Sequence, residues 1–272
     1  MPYRISAFAD EISPDIQIQM DHLLENGVNF CALRGANKKN VMEFEDFQIK
    51  LIKQQFHNRG VRFTCIGSPI GKIQITDPFE PEIERLKKAA KLAQAFETRV
   101  IRVFSFYIPK DEKPAKHAAE VLKRMKALAD VAAAEGVNLE LENEKGIYGD
   151  IADRQLEILD YVNSKNFRAA FDFANFVECD QDLPTAWSML KKYVVDFHIK
   201  DFKKGVGVTP IGEGDGHAKE IMQDAFANGW AGLLTLEPHL SAAGQFSGYS
   251  GPDLFKKAVN ALKTLLTEIG AK

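Results

Sequence analysis

Three carboxylates and one imidazole stand apart from the other polar residues by where they fall. Glu142, Asp172, His198 and Glu237 each lie late in, or close to the end of, a short apolar segment: NLELEN, RAAFDFA, VDFHIKD and GLLTLEPH. Carboxylates brought together repel one another and drag one pKa upward unless a cation neutralises them. Three oxygens and one imidazole nitrogen suit a single divalent ion, with Mn2+, Mg2+, Co2+ and Zn2+ all open. Four protein ligands leave about two places in a six-coordinate shell, room for a ketone oxygen and a neighbouring hydroxyl. That chemistry is proton transfer beside a polarised carbonyl. Taken singly, each residue has a plainer reading, since a strand-end acid often caps the next helix and a strand histidine is often structural. The recurrence on four consecutive segments is what carries weight.

The segments that must position these groups belong to a longer series. Candidate strands are 4–10, 29–35, 62–69, 99–106, 138–143, 168–174, 195–201 and 232–239, each followed by a stretch with helical periodicity. Helix starts are expected at Ser13-Pro14-Asp15 and Asp77-Pro78, and helix ends at Gly27, Gly60 and Gly136. Eight such units without a Pro/Gly/Ser-rich linker predict a single (β/α)8 TIM-barrel domain over residues 1–272, in the α/β class. An open dinucleotide-binding sheet would want G-x-G-x-x-G after the first strand, where the chain reads ADEISPD. In a closed barrel the carboxyl ends of the strands form one mouth, which is where all four groups would meet.

Composition narrows the partners. The 272 residues carry 35 basic and 38 acidic side chains, scattered rather than blocked, for a net charge of −3. No surface footprint for nucleic acid follows, and no segment approaches the ~18 apolar residues needed to cross a bilayer. The three widely spaced cysteines, Cys31, Cys65 and Cys179, fit buried reduced thiols in a cytoplasmic protein. The expected partner is a small molecule with a carbonyl and a neighbouring hydroxyl, with no nucleic acid and no membrane, and with a homo-oligomer allowed.

The runs LELENE around Glu142, FDFANF around Asp172, HIKD from His198 and LEPH around Glu237, together with the opening SAFADEISPD, resemble the xylose-isomerase-like TIM barrels of the sugar phosphate isomerase/epimerase superfamily. That superfamily includes D-tagatose 3-epimerases, hydroxypyruvate isomerases and inosose dehydratases, and the resemblance spans nearly the whole chain. It implies one metal ion, foremost Mn2+, held by Glu142, Asp172, His198 and Glu237. It also implies that Glu142 and Glu237 serve as acid and base, one on each face of a keto sugar. Two positions depart from the pattern. Many relatives carry a histidine where this chain has Asn175, and Glu-Asn-His where it reads Glu142-Asn143-Glu144. Isomerisation or epimerisation is the first expectation. A dehydratase acting on a keto polyol such as an inosose is the alternative, and a sugar-binding barrel without activity the third reading. An abasic-site nuclease on this fold would need further histidines and basic loops.

Other residues are expected to line the pocket. Arg34, late in its strand, suits an anionic substrate group, and His239 follows Glu237 by two residues. The glycine-rich stretch after His198 is read as a lid delivering Lys200, Lys203 or Glu213 to the substrate. Arg102 is expected to pair with an acid inside the barrel, Glu11 to serve a first-turn helix charge, and Phe104, Phe106 and Tyr107 to wall the site.

Overall fold

A computed structural model describes residues 3–239 and 250–271. Eight parallel strands close into a barrel: β1 (Arg4–Phe8), β2 (Phe30–Leu33), β3 (Arg62–Ile66), β4 (Val100–Val103), β5 (Asn138–Glu142), β6 (Phe167–Asp172), β7 (Val194–Ile199) and β8 (Leu233–Leu236). They follow one another around the ring in chain order, and β8 pairs with β1 through Arg4–Leu233 to Ala7–Leu236. The fold is therefore the expected (β/α)8 barrel. No helix among the described residues is long and apolar enough to cross a membrane.

Period-two alternation divides each strand between two environments. On β5, Leu139 and Leu141 face outward and join the large apolar layer under the helices, while Glu140 and Glu142 face the barrel axis. On β7, Phe197 and Ile199 face outward and Asp196 and His198 inward. Phe197 packs among Phe171, Phe173, Trp187 and Trp230, with ring centroids 4.7–6.0 Å away. The axis itself holds a small apolar cluster, Phe8, Ala32 and Cys65, beside polar side chains such as Ser6, Thr64, Arg102 and Thr235. Ser6 and Thr64 share a 2.7 Å hydrogen bond there.

The strands stop short of the sequence expectation, by as much as three residues at Ile66 and Val103, because the following residues leave the ladder to form the mouth. The run FDFANF divides: β6 ends at Asp172, which caps the short helix Phe173–Glu178. Helix starts also differ. Asp15 alone caps Ile16–Glu25, accepting from Gln17 and Ile18, and helix Glu80–Ala95 starts beyond Asp77-Pro78, with Pro81 in its first turn. Gly27, Gly60 and Gly136 do end helices, at φ of 71–80°, where a Cβ is strained. Cys31 and Cys65 are buried free thiols; Cys179 is free but only half-buried.

Candidate metal centre and active site

Strand register brings the four groups together. Asp172 of β6 and His198 of β7 are Cα partners, Glu142 pairs with Ala170 one pleat below, and Glu237 follows the last residue of β8 with its N–H on Ile199. Each of the four offers an atom within 4.8 Å of the others, and all four side chains are buried. His198 Nδ1 faces every carboxylate: 3.2 Å from Glu142 Oε1, 3.5 Å from Glu237 Oε2 and 3.8 Å from Asp172 Oδ2.

Hydrogen bonding tests whether this set fits a cation. Glu142 Oε2, Asp172 Oδ2 and His198 Nδ1 are buried atoms without a hydrogen-bond partner. Two of them face cations instead, Asp172 Oδ2 the Lys200 ammonium at 2.9 Å and Glu142 Oε2 the Arg102 guanidinium at 3.2 Å, and three ligand-type atoms buried this close together suit a divalent ion. The other oxygens are committed. Asp172 Oδ1 caps its helix through Asn175 N–H at 2.9 Å, so the capping role and the site role fall on different oxygens of one carboxylate. Asn143 bridges the backbone of Asp172 in both directions, at 2.9 and 3.0 Å, and fixes the end of β6.

A ring of cations surrounds the carboxylates. Lys200, on the same face as His198, places Nζ 2.9 Å from Asp172 and 3.1 Å from Glu237. Arg34 fans out to three acids, with Nε on Asp10 at 2.7 Å, Nη2 on Glu11 at 2.5 Å and Nη1 on Glu237 at 2.8 Å. Arg102 Nη1 lies 3.2 Å from Glu142 and 3.8 Å from Glu237. Burial alone would raise the Glu142 carboxyl, but His198 and Arg102 pull it down to about 2. Glu237 is likewise held well below the usual carboxylate range, Lys200 and His239 outweighing its burial. Burial works against a charged His198, yet Glu142, Asp172 and Glu237 hold its proton well above the ordinary histidine value.

Above this floor opens a cavity of about 380 Å3. Arg34, Lys200, Asn175 and His239 line it with Glu142 and Glu237, as the sequence led one to expect of pocket residues. Asn175 donates to Asn143 O at 2.8 Å and points toward Glu142 at 3.4 Å. Glu144, in the departed Glu-Asn-Glu triplet, is paired with Lys72 at 2.7 Å on the cavity wall.

Several expectations need correction. Glu213 lies away from the mouth, exposed and facing Lys257 at 3.7 Å, and Lys203 is exposed. The glycine-rich segment is pinned instead of swinging: the Asp201 carboxylate accepts N–H bonds from Gly212, Gly214 and Gly216 at 2.9–3.2 Å. A Cβ at Gly214 or Gly216 would sit 2.4 or 2.6 Å from that carboxylate, so the glycines serve close approach. Of this region Val208, in a hairpin of 201–203 with 207–209, reaches the cavity with Lys200. Glu11 does lie in a first turn, that of the 3-10 helix Ala9–Glu11, and it is also fully buried against Arg34 and 3.3 Å from His239 Nδ1 at the edge of the site. Phe106 packs on Phe79 in the outer core, whereas Phe104 lies beside Arg102 and Lys72. Arg102 does pair with acids inside the barrel, as expected, whereas Asp10 and Lys72 were not singled out for the site. The alternation of Arg102 with the outward Ile101 and Val103 on β4 explains its inward placement.

A larger cavity, about 510 Å3, opens at the opposite mouth, among Arg4, Arg99, Asn138, Glu140 and Arg168 at the strand starts. Its Arg168 donates to the carbonyls of Ser164 and Phe167, at 2.6 and 2.9 Å. Size therefore does not single out the candidate site; the cluster of four groups that could hold a metal ion does.

The fold is a TIM barrel whose mouth gathers four groups that could hold a cation, and residues 20–265 match the xylose isomerase-like TIM barrel family, to which the chain belongs. Within its reach lies a 3-dehydroshikimate dehydratase from Bacillus anthracis, 22% identical over 220 residues, which cover 74% of this chain and 78% of that one. D-psicose 3-epimerase from Clostridium cellulolyticum H10, solved with D-tagatose, superposes with a TM-score of 0.75 at 15% identity over 98% of this chain and 99% of its own. A xylose isomerase-like barrel protein from Mycobacterium smegmatis, solved in complex with magnesium, gives 0.74 at 14% identity over 98% and 97%.

Proposed function

We propose that the chain, one barrel domain over residues 1–272, is a divalent-metal-dependent isomerase or epimerase of a keto sugar or related polyhydroxy carbonyl compound, acting in the cytoplasm. One observation carries this reading: of the four converging side chains, Glu142 and Glu237 also line the cavity, approaching it from strands separated around the ring by β6 and β7. Each glutamate thus touches both the ligand cluster and the space where a substrate sits.

Glu142, Asp172, His198 and Glu237 would hold the ion, with Mn2+ first and Mg2+, Co2+ or Zn2+ as alternatives; the magnesium of the M. smegmatis barrel supports a hard-ion site. When bound, such an ion supplies Lewis acidity that makes the C–H beside a carbonyl easier to ionise. One glutamate then takes that proton while the C–H electron pair moves toward the carbonyl oxygen, giving an enediolate. The other glutamate returns a proton from the opposite side, inverting the carbon, or to the neighbouring carbon, moving the carbonyl. Lys200 and Arg34 keep Glu237, and Arg102 with His198 keeps Glu142, ionised and oriented between turnovers.

The B. anthracis relative favours a second reading, dehydration, which shares the first proton abstraction and then expels a β-hydroxyl. Proton NMR in heavy water with Mn2+-reconstituted and then metal-stripped protein and a panel of ketoses separates the readings. Deuterium entering beside the carbonyl with a new stereoisomer or carbonyl position marks the isomerase. A new enone absorbance marks the dehydratase. Metal uptake with no exchange on any carbonyl compound would sink both and leave a sugar-binding barrel.

A further inference from the structure

The ten arginines of the chain divide by the end of the barrel at which they stand. Arg34, Arg59, Arg85, Arg102, Arg124 and Arg154 each pair with an acid. Among the described residues Arg4, Arg62, Arg99 and Arg168 pair with none. All four stand at a strand start or one residue before it, at the end remote from the candidate metal centre. Three of them, Arg4, Arg99 and Arg168, line the cavity of about 510 Å3 at that end, and Lys165 joins them.

The donors of these cations are largely unspent. Arg168 gives Nη1 to the carbonyls of Ser164 and Phe167, and among the described residues its Nη2 and Nε make no bond. The guanidinium of Arg4 lies 5.4 Å from the Phe30 ring centroid, and its side chain, like those of Arg99 and Lys165, makes no hydrogen bond or ion pair among the described residues. Two acids line the same cavity and do not answer them. Glu97 is bonded to Lys53 at 2.7 Å, and Glu140 is the strand-register partner of Arg168 without forming an ion pair with it. Even with both acids ionised, the four cations outnumber them.

A concavity lined by one sign of charge focuses its field and concentrates ions of the other sign. Guanidinium forks match phosphate oxygens two at a time, and here they come from β1, β6 and the approach to β4, three separate sides of the ring. Donors so arranged suit a group whose oxygens point several ways better than a flat carboxylate. The volume is that of a small-molecule site, more than a lone phosphoryl group fills, and Phe63, Val100 and Leu233 add apolar wall for a carbon skeleton.

We infer that the strand-start cavity is a second binding site, for a small organic phosphate, separate from the proposed reaction and independent of its metal. Calorimetric titration of the full chain, without added metal, with adenosine diphosphate, inorganic pyrophosphate and adenosine tests it. Both phosphates are expected to bind, adenosine diphosphate the more tightly, and adenosine not to bind; added sodium chloride should weaken both. Arg4→Gln and Arg99→Gln, which remove side chains bonded to nothing in the protein, should each loosen adenosine diphosphate at least about tenfold, the scale of a charge-assisted hydrogen bond. Mn2+ uptake by the same variants should equal that of wild type. No binding of either phosphate at millimolar concentration, adenosine binding as well as its diphosphate, or affinity retained in both variants overturns the site. Equal affinity for pyrophosphate and adenosine diphosphate overturns the organic part of the ligand. None of these results depends on whether the opposite mouth takes up metal, so the proposed function stands or falls separately.

Discussion

Glu140 and Glu142 stand two residues apart on the same face of β5, both buried, and the barrel treats them in opposite ways. Glu142 has His198, Arg102 and Asn175 within 3.4 Å and is pulled down to about 2. Glu140 sits lower on the axis, where burial and then the charge of Asp196 push its carboxyl well up. Asp196 shows the same contrast with its strand neighbour His198. Burial raises it to about 6 although Thr235 donates to it at 2.7 Å. Carboxylates stand at both levels, but among the described residues Arg34, Arg102 and Lys200 form ion pairs with the upper ones and not with Glu140 or Asp196. Arg34, Arg102 and Lys200 hold the upper carboxylates in their ionised form, whereas one pleat below burial shifts the balance toward the protonated form.

Breaking the upper level should give the largest effect. Glu142→Gln and Glu237→Gln are each expected to lower kcat by about a thousandfold or more, with circular dichroism unchanged, since a positioned acid or base contributes on the order of 10²–10⁴. Activity near the wild-type value in either would dissolve the distinction between the two levels of β5.

His198 gives an intermediate test with a sign. Its raised pKa means that the metal-free ring carries a proton at neutral pH, which an incoming ion must displace. Apparent Mn2+ affinity should therefore fall about tenfold for each pH unit lowered below that pKa, with close to one proton released per ion in calorimetry. His198→Ala should weaken Mn2+ binding by at least about a hundredfold and remove that proton release, because even partners outside the ligand set typically cost 10- to 100-fold.

The lower level supplies the smallest effect, and it runs the other way. A carboxyl whose folded pKa is raised binds its proton more tightly folded than unfolded. Wild-type stability is thus greatest below the unfolded value of about 4.3 and declines as pH rises toward the folded pKa. Glu140→Gln removes that decline, so thermal unfolding from pH 5 to pH 8 should show the variant gaining on wild type as pH rises. Loss of stability growing with pH would show that Glu140 is ionised and paired.

Much of this was legible before any coordinates. The eight strands, their order and the four converging side chains followed from alternation and position, because a parallel strand under helices must be apolar on its outer face and any charge near its end is conspicuous. What escaped depends on contacts between distant segments. Glu11 reads as an ordinary first-turn acid until Arg34, 23 residues on, is seen to bury it. Glu213 looks functional inside a glycine-rich run, yet those glycines exist for Asp201, which the local pattern does not announce. Asp172 was open to two readings, cap or ligand, and its two oxygens divide them. The ends of the strands were overrun because apolar character continues past Ile66 and Val103 while the hydrogen-bond ladder does not.

Arg34 ties Asp10 and Glu11, just past the first barrel strand, to Glu237, just past the last. During synthesis, a nascent chain released from the ribosome tunnel only as far as β7 holds three of the four converging groups and an open seam. The cage becomes whole when the final strand docks against the first, so ring closure and site completion are one event. Cofactor capture would then report that the entire barrel has been built, and truncated products would remain empty.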